Sequence, residues 1–179
     1  MKKENIPNAL TVGRILVIPI FILFLTVWNT AISHMAAAIL FAMASITDYL
    51  DGYLARKWQV VTNFGKFADP LADKLLVMAA FIMLVGLGFA PAWVVAIIIC
   101  RELAVTGLRL LLVENGGTVL AAAMPGKIKT FSQMFTIIFL LLHWQIIGQF
   151  MLYVALFFTL YSGYDYFKGA SYLFKDTFK

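Results

Sequence analysis

The sequence predicts an all-α integral membrane protein of six transmembrane helices, and three observations predict it. Of 179 residues, 63% are hydrophobic and only 13% are charged. The mean hydropathy of +0.91 lies far above what a water-soluble domain carries. Apolar runs of about 20 residues, the length that crosses a hydrocarbon core of about 30 Å, recur along the whole chain. The charges gather toward one set of run ends. A chain of this length has room for six or seven such spans joined by short loops, which leaves little for a separate soluble domain. With no internal repeat and no low-complexity stretch, residues 1–179 read as a single transmembrane domain.

The elements follow in order. The opening MKKENIPNALTVGR mixes basic and apolar residues, and about residues 1–9 are expected to lie along the membrane interface, with Lys2 and Lys3 toward anionic headgroups. A cleaved signal peptide fits poorly, because Arg14 interrupts its hydrophobic core and five more apolar segments follow. The spans read as 10–28, 33–54, 71–87, 92–113, 128–144 and 146–167. The turns at 29–33, 86–91 and 143–148 hold no Lys, Arg, Asp or Glu. Lys2, Lys3, Arg14, Arg56, Lys57, Lys66, Lys127, Lys129, Lys168, Lys175 and Lys179 all lie at or near the N-terminus, the 2–3 and 4–5 connections and the C-terminus. The positive-inside rule therefore places both termini and those connections in the cytoplasm, the protein being multi-pass in the cytoplasmic (inner) membrane. Trp28, Trp93 and Trp144 mark the opposite boundary as an aromatic belt. His34 and His143 fall at that same far side and receive no catalytic role. The single Cys100, in the run AWVVAIIICREL, forms no internal disulfide and reads as a small buried side chain.

Against this background the segment TDYLDGYLARKWQVVTNFGKFADPLADK stands out, because it sets Asp48, Asp51, Asp69 and Asp73 beside apolar runs. Asp48 and Asp51, three apart near the end of span 2, share one helical face. Asp69 and Asp73, four apart at the start of span 3, share another. The residues between make a tight return, which brings both pairs to one membrane depth. Four neighbouring carboxylates repel one another unless cations neutralise them. Hard oxygen ligands without His or Cys point to Mg²⁺ or Mn²⁺, with Ca²⁺ left open, and two ions there suit displacement at phosphorus. The plainer alternative is a set of interfacial charges paired with Arg56, Lys57, Lys66 and Lys74; against it stand four acids in helical register on adjoining helices.

The string Asp48-x-x-Asp51-Gly52-x-x-Ala55-Arg56, eight residues, then Gly65-x-x-x-Asp69-x-x-x-Asp73 resembles the signature of the CDP-alcohol phosphotransferase family at every position. The resemblance implies that family's six-helix fold with a cytoplasm-facing polar cavity, usually in a homodimer. It implies transfer of a phosphoalcohol group from a CDP-linked donor to an acceptor hydroxyl, with release of CMP. Asp48, Asp51, Asp69 and Asp73 would bind metal, two ions in all, and Asp73 would also act as general base on the hydroxyl. Gly52, Ala55, Arg56, Thr62 and Gly65 would hold the CDP group, Gly52 and Ala55 by leaving room and Arg56 by its planar fork. Asn8 and Thr11 would add polar contacts beside the nucleotide, with Arg14 reaching a phosphate or headgroup.

The stretches NIPNALTVGRILVIP, RELAVTGLRL and GKIKT resemble the branch of the family that transfers a phosphatidyl group from CDP-diacylglycerol to glycerol 3-phosphate. Charge gives separate support. Arg101 and Arg109, eight apart on span 4, lie about 80° apart around the helix, and Lys127 and Lys129 open span 5, so the four can form a basic pocket for a phosphate-bearing acceptor. Lys127 and Lys129 are equally open to reading as positive-inside anchors. Arg101 interrupts an apolar run and must find an anion, for which Glu102 is one choice; Glu102 itself reads as orienting a basic side chain. Related acceptors such as inositol phosphate, serine or another phospholipid stay in view. So does a cation transporter, which also gathers carboxylates, although no polar path crosses the opposite half of the chain. Membrane lipids are the expected surroundings, and no nucleic-acid partner is expected.

Overall fold

The structure, a computed structural model, describes residues 5–58, 63–114 and 124–169. Among them are six α-helices and no strand: α1 Asn5–Leu23, α2 Ala31–Trp58, α3 Asn63–Gly86, α4 Ala92–Glu114, α5 Met124–Leu141 and α6 Gln145–Gly169. A π-helical turn, Phe24–Trp28, continues α1. Every expected span falls on one helix. The departures lie at one end, where α2 runs on to Trp58 rather than stopping at 54 and α3 opens at Asn63 rather than 71. Charged residues mark the edge of an apolar segment, but the added Ala55, Arg56 and Lys57 are good helix formers, so α2 outlasts its greasy stretch.

The opposite ends are closed by local chemistry. Thr30 and Ser33 form a reciprocal cap on α2: the Thr30 amide donates to Ser33 Oγ at 2.8 Å and the Ser33 amide to Thr30 Oγ1 at 3.2 Å. Gly88, at φ 74, ends α3 in the left-handed conformation. The Phe89 amide there returns to the Leu84 carbonyl at 2.8 Å and the Gly88 amide to that of Val85 at 3.0 Å, the paired bonds of a glycine-terminated helix. The same pattern ends α5, where the Trp144 amide meets the Phe139 carbonyl at 2.9 Å. Here the left-handed residue is His143, at φ 62.

The core is built from inward stripes. Ala37, Ala38, Phe41 and Ala44 of α2, Leu76, Ala80, Phe81 and Leu84 of α3, and Val94, Val95 and Ile98 of α4 are buried with Ile137, Leu140 and Leu141 of α5. Small residues allow close helix approach. At Gly148 an added Cβ would stand 2.5 Å from Leu140 Cδ2 and 2.7 Å from its Cγ, so Leu140 would have to shift. The stripe of α5 changes character along its length, from Lys129, Ser132, Gln133 and Thr136 to Ile137, Leu140 and Leu141. That of α6 likewise ends in Thr159, Ser162, Gly163 and Tyr166. On α5 and α6 the buried polar groups thus collect toward one end of the bundle, while Ser33 and His34 of α2 are buried at the other.

Large apolar side chains face outward, among them Ile32, Ile39, Leu103, Ile146, Phe150 and Phe157, and Trp28, Trp93 and Trp144 are exposed. Exposed apolar surface of this extent marks a face for lipid or protein contact. One helix among the described residues, α6, is long and apolar enough to cross a membrane by length and composition; Val12–Trp28, Ala31–Thr47 and Lys74–Gly86 are shorter apolar helical stretches. Arg101, Glu102 and Arg109 interrupt α4.

Cys100 corrects one expectation. It is exposed, not buried. The buried stripe of α4 runs through Val94, Val95, Ile98, Glu102, Val105, Leu108 and Leu112, and Cys100, two residues beyond Ile98, is turned about 200° away from it.

Candidate functional site

Asp48 and Asp51 fall in α2 and Asp69 and Asp73 in α3, on the two sides of the 59–62 connection. Asp48 is the first Asp, Glu, Lys or Arg on α2, and after Lys74 α3 carries none. Both acid pairs therefore sit where apolar helix gives way to polar helix, at the same end. The side chains of Asn8, Thr11, Asp48, Asp51, Ala55, Arg56, Asp69 and Asp73, and the surroundings of Gly52 and Gly65, lie outside the described residues, as does Thr62 altogether. As a donor set, four carboxylates on two helix ends fit a hard divalent cation. Arg14, read as reaching a phosphate or headgroup, is buried in α1.

Directly beyond Asp73, the described side chains enclose a cavity of about 190 Å³. Lys74 and Phe81 of α3, Ile98, Arg101, Glu102, Val105 and Arg109 of α4, Gly126, Lys129, Thr130 and Gln133 of α5, and Tyr166 of α6 line it. Helical register produces the lining: Ile98, Glu102, Val105 and Arg109 recur at spacings of four and three on one face of α4, with Arg101 at its edge.

Four cationic side chains and one carboxylate meet there. Lys129 donates to Glu102 Oε1, and Arg101 Nη1 lies 3.5 Å from the same oxygen. Lys74 donates to Thr106 Oγ1, whose hydroxyl donates to the Glu102 carbonyl at 2.6 Å. On the α6 side, Arg101 Nη2 donates to Ser162 Oγ at 2.9 Å and Arg109 Nη2 to the Tyr166 hydroxyl. The guanidinium carbon of Arg109 stands 4.9 Å from the Tyr166 ring centre and that of Arg101 5.9 Å from it. Among the described lining residues cationic donors outnumber carboxylates, and guanidinium and ammonium groups gathered in this way suit an anion.

Of the predicted basic set, Arg101, Arg109 and Lys129 are brought together, while Lys127, at the start of α5, is exposed and does not line the cavity. Glu102 orients basic side chains, as its position suggested. The sequence reading overlooked Lys74 as a cavity residue and Ser162, Gly163 and Tyr166 entirely. A signal was available, since Thr159, Ser162, Gly163 and Tyr166 recur at helical spacing on a segment otherwise rich in Phe, Leu and Tyr.

Among the described residues the helices and the cavity thus define a helical protein with a cationic pocket next in sequence to a four-aspartate motif. The chain belongs to the CDP-alcohol phosphatidyltransferase family, whose model matches residues 4–161. Among its relatives, one from Bacillus subtilis is 50% identical over 91% of this chain and 93% of its own. One from Rickettsia typhi is 42% identical over 96% and 99%, and one from Pseudomonas fluorescens 42% identical over 93% and 90%. All three are named CDP-diacylglycerol–glycerol-3-phosphate 3-phosphatidyltransferase.

Proposed function

We propose that the protein transfers the phosphatidyl group of CDP-diacylglycerol to a hydroxyl of sn-glycerol 3-phosphate, yielding phosphatidylglycerophosphate and CMP in phospholipid biosynthesis. The observation that carries this reading is one of adjacency. Lys74, which lines the cationic cavity, is the residue after Asp73, the last aspartate of the motif. A phosphate held by Arg101, Arg109 and Lys129 would keep the acceptor next to that aspartate. The names of the relatives support the same pair of substrates.

The division of labour follows from the residue types. Asp48, Asp51, Asp69 and Asp73 would hold Mg²⁺ or Mn²⁺, two ions in all, and the bound metal would supply charge neutralisation at the pyrophosphate. Asp73 takes the proton of the acceptor hydroxyl as its oxygen bonds to the phosphatidyl phosphorus, and the bond to the CMP oxygen breaks. Arg56, with Asn8, Thr11, Gly52, Ala55, Thr62 and Gly65, holds the CDP group. Arg101, Arg109 and Lys129 bind the acceptor phosphate, and exposed Lys127 draws the anion toward the cavity.

The absence of Lys, Arg, Asp and Glu from the turns at 29–33, 86–91 and 143–148 supports six spans with both termini and the cavity facing the cytoplasm. The lipid donor then keeps its acyl chains in the bilayer of the cytoplasmic membrane while the soluble acceptor arrives from water. Outward apolar surface is also where a homodimer would form.

The experiment supplies purified protein with CDP-diacylglycerol, Mg²⁺ and, in separate arms, glycerol 3-phosphate, inositol phosphate or serine, and reads CMP release and lipid mass. Phosphatidylglycerophosphate should dominate, and a chelator should abolish it. Preferential product from another acceptor overturns the substrate assignment, and no CMP above the chelated control overturns the enzymatic one.

A further inference from the structure

Arg101 and Arg109 are like charges on one helix, and what holds them side by side is α6. Ser162, Gly163 and Tyr166 share its inward face. Arg101 is held by Ser162 Oγ at 2.9 Å, and its stem lies along Gly163, where an added Cβ would stand 3.3 Å from both Cγ and Nε. Arg109 is held by the Tyr166 hydroxyl. The Tyr166 ring lies near both guanidinium groups, at 5.9 and 4.9 Å from its centre, and is itself 6% exposed. A single aromatic face thus steadies two cations that would otherwise repel each other. Each arginine also keeps a buried Nε without a hydrogen-bond partner among the described residues. A buried donor left unmet is destabilising, so the two guanidinium groups are kept in place at a cost that their contacts with α6 offset.

We propose that Tyr166 is a positioning residue for the acceptor: through its ring and hydroxyl it fixes Arg101 and Arg109 as a paired anion clamp and thereby sets the preference for a phosphate-bearing alcohol. The proposal rests on reading the cavity as the acceptor site. Tyr166 acts through the two arginines and touches no reacting atom. Its hydroxyl fixes the direction of one guanidinium plane, and its ring holds the second within reach. Planar bidentate recognition of phosphate depends on such orientation.

The test compares full-length wild type with Tyr166→Phe, which keeps the ring, and Tyr166→Leu, which removes ring and hydroxyl. KM for each substrate, kcat, thermal stability and inhibition by inorganic phosphate are measured. Tyr166→Phe should raise both KM for glycerol 3-phosphate and the inhibition constant of phosphate about three- to tenfold, the loss of one hydrogen bond. KM for CDP-diacylglycerol and thermal stability should stay near wild type. Tyr166→Leu should raise the same two constants further, to about 10- to 100-fold, as the cation–π contacts go. Should Tyr166→Leu fail to fold, the Phe variant combined with Arg109→Lys decides: the double variant should be little worse than Arg109→Lys alone, and fully additive losses overturn the coupling. An acceptor constant within twofold of wild type in Tyr166→Phe overturns the proposal, as does an equal rise in both substrate constants. If wild type makes no phosphatidylglycerophosphate, the functional reading fails on its own. Binding of inorganic phosphate to wild type and Tyr166→Phe then judges the clamp, and equal affinity overturns it.

Discussion

Glu102 and Lys129, twenty-seven residues apart on α4 and α5, form an ion pair through Glu102 Oε1, an oxygen that also lies 3.5 Å from Arg101. Both side chains are about nine-tenths buried. In such a place the pair is less a source of stability than a condition of it, because removing one partner strands the other's charge, at a cost of about 3–5 kcal/mol. Glu102→Ala and Lys129→Ala should each be strongly destabilising, and the double variant should lose far less than the two losses together. Denaturation in detergent, run as a double-mutant cycle, measures this. Additive losses would show that the two side chains are stabilised by other neighbours.

Gly163 offers a prediction in which stability and substrate use part company. An alanine there would place its Cβ 3.3 Å from Arg101 Cγ and Nε, so the arginine has to give way by a few tenths of an ångström. Glycine within a helix is also less stable than alanine by about 0.5–1 kcal/mol. Gly163→Ala should therefore hold or raise the melting temperature while weakening use of glycerol 3-phosphate, with the donor constant unchanged. Gly163→Val should weaken it further. A loss of stability with unaltered acceptor affinity would mean that Gly163 is small only to let α4 and α6 meet.

Much of this arrangement was legible before any coordinates. The six helices followed from apolar runs bounded by charge, Arg101 from the physical rule that an arginine in an apolar helix needs an anion, and Arg109 from its spacing eight residues on along the same helix. The hidden part was long-range. Lys74 reads in the sequence only as a neighbour of the aspartates, and its place in the lining of a cavity shared with α4 and α5 comes from helix packing that local sequence does not encode. The helical spacing of Thr159, Ser162, Gly163 and Tyr166 places them on one face of α6, but periodicity does not tell which helix that face meets. Cys100 was misplaced for the same reason: in an apolar run, hydrophobicity alone does not distinguish the inward stripe from the outward one.

The far end of the bundle holds a second polar cluster that sequence reasoning set aside. Buried His34 lies with Nδ1 3.0 Å from His143 Nε2 and Nε2 3.0 Å from Asn29 Oδ1. With Nε2–H donating to the Asn29 oxygen, neutral His34 offers Nδ1 as acceptor, so His143 donates from Nε2. Asn29 and His143 are also the two described non-glycine residues with positive φ, at 37 and 62, a conformation that costs an ordinary side chain about 1–2 kcal/mol. His143→Ala and His143→Gly both lose the imidazole, but only alanine retains the backbone strain. The glycine variant should be the more stable by about 1 kcal/mol, read as a higher melting temperature in detergent. The reverse order would mean that the left-handed turn is not retained once the imidazole is gone.

Asp73→Asn separates the proposed base from the proposed metal and donor site. The amide keeps the shape of the side chain and one oxygen, but it has no basicity near neutral pH. General-base catalysis contributes about 10²–10⁴-fold, so turnover should fall by that order while CDP-diacylglycerol still binds. Arg101, Arg109 and Lys129 are kept in the variant, and affinity for inorganic phosphate, followed by its protection against heat, should stay near wild type. Near-normal turnover would remove Asp73 from the proton transfer. Loss of donor binding together with turnover would assign it to holding the metal and nucleotide, leaving the acceptor hydroxyl to another base.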